Sequence, residues 1–246
     1  MRSLILVLTL NEIENIQTLL CRIATACPNT DMLVVDDDSP DGTAHRANQM
    51  AENNPRLRVM IRKESPGLGN AMRVGLQYAV DHQYDLVVNL DADLSHAPED
   101  IPRLIHAATC SDTQADLVIG SRYIQGGRTS GWSWRRIVIS RLVNLFATSV
   151  LRLPVADCSG GFRCYRVARL RELNFAGMVS QGYSIQEEIL LRLHARGARM
   201  LEVPIVFSDR VRGASKLSAI ESLKSVFRLV QFAVFRQSFQ PQGAAK

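Results

Sequence analysis

At 246 residues, with 46% hydrophobic and 22% charged side chains, the chain is long enough for one large α/β domain and has the composition of an ordinary globular protein. Its five cysteines (Cys21, Cys27, Cys110, Cys158, Cys164) form no CxxC pair, which argues against a disulfide framework or a zinc site and for a reducing, cytosolic setting. The net charge of +5 conceals a division: residues 1–120 carry 9 Lys/Arg against 17 Asp/Glu, a net of −8, whereas residues 121–246 carry 20 against 7, a net of +13. An acidic half followed by a basic half suits either a surface for an anionic partner or one cleft in which a cation-binding wall faces a phosphate-binding wall.

In chain order, the apolar run after Met1 and Arg2 ends by Leu10. That is short for a signal peptide and lacks a small-residue cleavage site, so "LILVLTL" (4–10) reads as a first strand. Further strands are expected at 32–36, 57–61, 85–90, 116–120 and 199–207, with helix-like patterns at 12–26, 42–53, 68–82 and 98–109. This alternation predicts an α/β fold with a mostly parallel sheet covered on both faces, whose ligands sit outside the carboxyl ends of the strands. No GxGxxG follows the first strand and there is no GxxxxGK[ST], which argues against dehydrogenases and P-loop enzymes. No window approaches the roughly 18 apolar residues of a membrane-spanning helix.

Two acidic clusters fall at expected strand ends: "DDDSPDGT", with Asp36, Asp37 and Asp38, and "DADLSH", with Asp91 and Asp93 one residue apart. Paired carboxylates at a strand mouth, followed by the hydroxyl of Ser95, make a hard oxygen-rich site suited to Mg²⁺ or Mn²⁺ and, through the cation, to phosphates. The acids of "DDDSPDGT" could accept hydrogen bonds from ribose hydroxyls or from a base edge. His96 reads as a helix-start residue rather than a catalytic one. Gln186, Glu187 and Glu188 stand where a helix begins and the dipole favours acids.

Together "LNEIENI", "VVDDDSPDGT", "GLGNAMRVGLQYA", "DADLSHAPEDIP", "GSRYIQGG", "GWSWRRIVIS", "SGGFRCYR", "GYSIQEEILLR" and "EVPIVFSDRVRGASKL" form an ordered series. The series resembles the family-2 glycosyltransferases of the GT-A (Rossmann-like) fold, and within them the dolichyl- or polyprenyl-phosphate mannosyltransferases. The resemblance implies a catalytic domain over residues 1–217 and a metal-dependent, inverting transfer of mannose from GDP-mannose to a polyprenyl (dolichyl-type) phosphate. By the same resemblance Glu12 and Asp37 help hold the base and ribose, Asp91, Ala92 and Asp93 face the diphosphate, and Asp91, Asp93 and Ser95 occupy metal-ligand positions. Arg122, Arg136, Arg210 and Lys216 match basic positions that engage phosphates. One departure is at the first strand, where Leu8 and Leu10 replace the proline and tyrosine usual in the family. A UDP-sugar donor, with a polyprenyl phosphate or a glycan as acceptor, remains open as an alternative. So does a non-catalytic protein that binds nucleotide sugars or anionic lipids. An acceptor phosphate is already ionised at neutral pH, so no strong general base is required.

In residues 218–246, Ile220, Leu223, Phe227, Val230 and Val234 recur at spacings of three and four, with Lys224, Arg228 and Arg236 among them. The pattern predicts an amphipathic helix, either lying in a membrane interface or packed on the domain core or a second subunit. Peripheral contact with the cytoplasmic face of a membrane is expected, and nucleic acid is not expected as a partner.

Overall fold

The structure is a computed structural model that describes residues 1–110, 112–180, 182, 184–209 and 231–232. Arg210 and Lys216, and the expected C-terminal helix apart from Gln231 and Phe232, lie outside the described residues.

The elements in chain order are β1 (Ser3–Thr9), α1 (Ile13–Ala26), β2 (Asp31–Asp36), α2 (Thr43–Glu52), β3 (Leu57–Ile61), α3 (Leu68–Asp81) and β4 (Leu86–Asp91). A 3-10 turn (Pro98–Asp100) leads into α4 (Ile101–Thr109), then β5 (Leu117–Ser121), β6 (Arg128–Ser130) and α5 (Trp134–Leu151). The chain continues through β7 (Arg163–Arg166), α6 (Val167–Leu170), α7 (Ile185–His194), β8 (Met200–Pro204) and β9 (Val206–Ser208). Seven strands form one sheet in the order β3-β2-β1-β4-β7-β5-β8, parallel except for β7, which runs antiparallel to both neighbours. β6 and β9 pair separately, in parallel.

The expected α/β layering follows from the near-continuous apolar runs of β1, β2 and β4, which must be covered on both sides. Alternate residues of β1 feed different layers: Leu4, Leu6 and Leu8 pack with Met72 and Leu76 of α3, while Ile5 and Val7 pack with Ile16, Leu19 and Leu20 of α1. Strand order reverses about β1, with β2 on one side and β4 on the other, so a crevice opens where these three strands end. That crevice carries Thr9, Asp36 and Asp91 at its strand ends.

Three features depart from the sequence expectation. The single strand expected at 199–207 divides at Pro204 and Ile205. The Ile205 amide still donates to the Ser121 carbonyl of β5 at 3.0 Å while its own carbonyl accepts the Arg128 amide at 3.0 Å, so the chain passes at that residue from β5 to β6. β7, only four residues long, slots antiparallel between β4 and β5. α5, 18 residues long, has no expected counterpart because its apolar residues do not mark a core-facing stripe. At the C-terminus, Phe232 is buried in the same layer as Ala147 and Leu151 of α5, so that residue belongs to the core.

Helix α3 approaches β1 closely at Gly75, where an added Cβ would lie 2.4 Å from Leu6 Cδ1 and 2.6 Å from Leu6 Cδ2. Both residues are buried, so Leu6 has no solvent to retreat into. Gly75→Ala should therefore destabilise the fold by about 1–3 kcal/mol despite the better helix propensity of alanine, as urea unfolding would show. An unchanged or raised midpoint would contradict this packing.

Candidate active site

The β4 strand delivers Asp91 to the crevice, and the next three residues form a tight loop in which Leu94 adopts a left-handed backbone with φ of 61°. Asp93 is buried and accepts a hydrogen bond from the Ser95 amide at 3.1 Å, which folds the loop back on itself. Ala92 is buried beneath it. The carboxylate of Asp91 is 40% exposed and faces Gly161, where an added Cβ would come within 3.2 Å of Oδ1. The side chain of Asn89 donates to the Gly161 carbonyl at 2.8 Å and fixes this approach of the 160–161 backbone.

The donor set suits a hard divalent cation. Two carboxylates stand one residue apart, and the buried Ser95 hydroxyl beside them makes no hydrogen bond, a cost that a cation or its water would remove. Among the described residues no three His, Cys, Asp or Glu side chains converge into a ready-made metal cage. A cation here would complete its shell from substrate phosphate and water, as Mg²⁺ ordinarily does.

His96 closes the loop from below. Its ring lies 5.2 Å from Phe162 and 5.1 Å from Phe207, and its Nδ1 is 3.8 Å from Asp91 Oδ2. Burial lowers its pKa to about 4 against the opposing pull of Asp93, so the ring is neutral at pH 7. Phe207 also meets Trp132, edge to face at 5.5 Å, and Arg136 stacks on Trp132 at 4.0 Å. An unbroken aromatic column thus joins the carboxylate loop to Arg136 at the start of α5. Arg136 is half exposed and contacts both Asp209 oxygens at 3.1 Å. Of the four expected phosphate ligands, Arg136 is the one placed at a solvent-facing edge among the described residues.

Arg122 is placed differently. It is buried, with Nε and Nη2 donating to Asp157 at 2.7 Å each and Nη2 also reaching Ser159 Oγ at 2.8 Å. Burial works against both charges, but each partner more than offsets it, so Arg122 is raised and Asp157 lowered in pKa. Such a guanidinium fixes the ends of β5 and of the loop before β7 rather than offering these donors to a phosphate. Arg163, also fully buried, donates to the carbonyls of Cys158, Gly160 and Gln186 and braces the same loop against α7. Asp157 does not stand out in the sequence, and Arg163 is marked only by its place in the "SGGFRCYR" segment.

On the other side of the crevice Glu12 caps α1 with its backbone carbonyl, and its side chain accepts from Asn15 Nδ2 at 2.9 Å. The strand-end acids expected to meet a base edge are engaged within the protein. Asp36 accepts from Thr9 Oγ1, Ser39 N and Ser39 Oγ, each at 2.7 Å. Asp37 pairs with Arg62 and accepts the Gly67 amide at 2.7 Å, which ties the start of α3 to the end of β2. The cause is burial: carboxylates this enclosed are stable only when their oxygens are satisfied. Asp38 is exposed, at a left-handed φ of 52°.

The family model for glycosyl transferase family 2 matches residues 4–173 of the chain. The chain belongs to glycosyl transferase family 2. As a member it is a glycosyltransferase, and its sheet order with helices on both faces is the GT-A arrangement. It is 38% identical to the polyprenol monophosphomannose synthase of Mycolicibacterium smegmatis, over all of this chain and 92% of that protein. It is 40% identical to the undecaprenyl-phosphate mannosyltransferase of Micrococcus luteus, over 89% of this chain and 88% of that one. The glucosyl-3-phosphoglycerate synthase of Mycobacterium tuberculosis, solved with Mn²⁺, UDP-glucose and phosphoglyceric acid, shares the fold. It superposes with a TM-score of 0.70 at 19% identity, covering 98% of this chain and 81% of that one.

At the start of α7, the three consecutive polar residues have separate environments. Glu188 is fully satisfied by the amides of Val179 and Ser180 and by Arg192. Gln186 Oε1 and Glu187 Oε2 are buried without a hydrogen-bond partner. Burial raises the Glu187 pKa from 4.5 to about 7, although its backbone environment and Arg163 pull the other way. A carboxyl that is neutral in the fold but ionised in the unfolded chain stabilises fully below pH 4.5, and that contribution is lost as pH rises through 7. Replacing Glu187 by Gln should remove this loss. Relative to the variant, the ligand-free wild type should weaken by at most about 3 kcal/mol between pH 4.5 and 8 in urea unfolding. Parallel stability profiles would contradict a neutral Glu187.

Proposed function

We propose that this glycosyltransferase moves mannose from GDP-mannose to a polyprenyl phosphate, with inversion at the anomeric carbon, giving polyprenyl-phosphate mannose. The observation that carries the reading is the carboxylate pair Asp91 and Asp93 at the exit of β4, beside the unsatisfied hydroxyl of Ser95 and linked through His96, Phe207 and Trp132 to Arg136. The two relatives of 38% and 40% identity, both named for mannose transfer to polyprenol-type lipids, support the choice of sugar and acceptor.

In this reading Asp91 and Asp93 hold Mg²⁺ or Mn²⁺, with Ser95 as the neighbouring oxygen. When bound, the cation neutralises the leaving diphosphate. The nucleoside lies over the ends of β1 and β2, where Glu12 and the 37–41 loop stand. Asp37 serves there by shaping the loop through Arg62 and Gly67. Arg136 meets the acceptor phosphate, and Arg210 and Lys216 are assigned to the same role. Arg122 acts as a positioning residue through Asp157. The acceptor oxygen attacks already ionised, which suits a crevice whose histidine is buried and neutral. Catalysis then rests on placing two anions in line and on the fixed charges around them.

Asp93→Asn keeps the shape of the buried loop while removing its charge. It should lower transfer by about two orders of magnitude or more with only a small change in the unfolding midpoint, and it should abolish Mn²⁺-dependent nucleotide binding in calorimetry. The donor is tested by titrating GDP and UDP with Mn²⁺ present and following label from GDP-mannose and UDP-glucose into a polyprenyl phosphate. GDP should bind at least about tenfold more tightly, a difference of about 1.4 kcal/mol. Label arriving only from UDP-glucose would replace the donor and leave the carboxylate assignment to the Asp93→Asn result.

A further inference from the structure

Arg136 is already paired with an anion of the chain. Both oxygens of Asp209 stand 3.1 Å from its Nη1, in a contact where the arginine side chain is 49% exposed and the carboxylate 40%. Each partner is also held in place without the other. The guanidinium lies 4.0 Å from the centre of the Trp132 ring, which Phe207 meets edge to face at 5.5 Å. Asp209 is fixed through its backbone, whose amide donates to the Ser130 carbonyl at 2.8 Å just beyond the ladder of β6 and β9. Its Cβ sits against Gly131, which has φ of 83° and where an added Cβ would come within 3.0 Å of it. A half-exposed pair of this kind contributes little to stability, so an incoming anion can take it apart, unlike the sealed pair of Arg122 and Asp157.

We infer that Asp209 holds Arg136 while the site is empty, yields it to the acceptor phosphate, and takes it back once transfer has turned that phosphate into a diester, so that re-forming the pair helps to release the product. The inference rests on the acceptor role proposed for Arg136 and adds the step that clears the site. The carboxylate offers two ionised oxygens to one guanidinium nitrogen, as a phosphate would. It belongs to the chain, so re-forming the pair costs no association entropy, and only an anion that binds more strongly keeps it open. The acceptor qualifies, because a phosphate monoester carries between about 1.5 and 2 negative charges at pH 7 and offers three terminal oxygens. In the reaction one of those oxygens bonds to the anomeric carbon while the bond from that carbon to the diphosphate breaks, and the electron pair leaves with the nucleotide. The lipid phosphate is then a diester with a single negative charge and two terminal oxygens. It now matches the carboxylate in charge and has lost the advantage by which it displaced it. The guanidinium need not move in this exchange, because Trp132 holds it, and the half-exposed carboxylate has solvent to turn into. Asp209 acts through Arg136 and is a positioning residue.

The test titrates the full chain by calorimetry with a short water-soluble polyprenyl phosphate and with its methyl ester, a diester that carries the charge of the product. The wild type should bind the monoester and bind the methyl ester more weakly. Asp209→Asn keeps the backbone bond to Ser130 and the size of the side chain, and its melting should match the wild type. It should bind both probes about threefold more tightly or better, the size of a half-exposed ion pair no longer in competition. Asp209→Glu, which restores an anion, should return both affinities toward the wild type. In transfer assays Asp209→Asn should lower the acceptor KM without raising kcat, and the methyl ester should become a stronger inhibitor. A residue that merely supported the fold would raise KM and weaken binding instead. Equal or weaker binding of both probes by Asp209→Asn, while Arg136→Ala weakens the monoester, would overturn the inference and leave the acceptor role of Arg136 standing. Unchanged monoester binding in Arg136→Ala would overturn both. The titrations use neither donor nor sugar, so a failed donor assignment leaves their result intact.

Discussion

The crevice depends on one buried ion pair. Arg122 leaves the end of β5 and meets Asp157, which also receives the backbone amides of Arg122 and Gly160 at 3.0 Å each. Four donated hydrogen bonds converge on one carboxylate with no exposure to water, and Glu202 of β8 accepts the amides of Ala156 and Asp157 beside it. Separating such a pair by removing one partner costs about 3–5 kcal/mol, because the survivor is left charged and dry. The pair therefore dictates where the 156–161 backbone runs. That backbone in turn brings Gly161 against Asp91 and lets α7 dock through Arg163. The acidic loop, the inserted antiparallel strand and the helix behind them are aligned by a contact that touches none of the substrates in the proposed reaction.

Much of this architecture is legible in the sequence. The strands of the first half are apolar runs of five to seven residues, two of them (β2 and β4) ended by acids, and each lies within a residue or two of its expected limits. The second half resists reading for definite reasons. β7 has four residues, two of them arginines, and is stabilised by lying between two other strands rather than by its own pattern. α5 lacks a core-facing stripe because its apolar residues face outward, so periodicity has no inside to report. The division of 199–207 follows from the change of partner at Ile205, from β5 to β6, which no local pattern announces.

The same contrast holds for the site. Asp91, Asp93 and Ser95 are proposed as the metal site because their residue types and spacing fall within the ordered series of family motifs. The arginines are not separable that way. Arg122 and Arg136 sit in equally recognisable motifs and both pair with an aspartate, yet the first pair is sealed from water and the second is half exposed, with Arg136 lying on Trp132. Sequence records that a guanidinium is present, whereas burial and its partner decide whether it holds the protein or a ligand. The run Asp36, Asp37 and Asp38 divides similarly: the first two are enclosed and satisfied by the protein, and only the third faces solvent.

The state of His96 fits the chemistry proposed for the crevice. Two aromatic rings and full burial keep the imidazole neutral despite the carboxylates nearby, so it adds no positive charge beside Asp91 and Asp93. A protonated ring there would compete with a divalent cation for the same carboxylates. Keeping it neutral leaves their negative charge available to the metal, and a phosphate acceptor that arrives ionised makes no use of a base in its place. In the proposed reaction the positive charge for the transferring anions comes from Arg136, which the column of Trp132, Phe207 and His96 links to the β4 loop. Arg136 is itself paired with Asp209, so a phosphate bound there would exchange one anion for another at the same guanidinium.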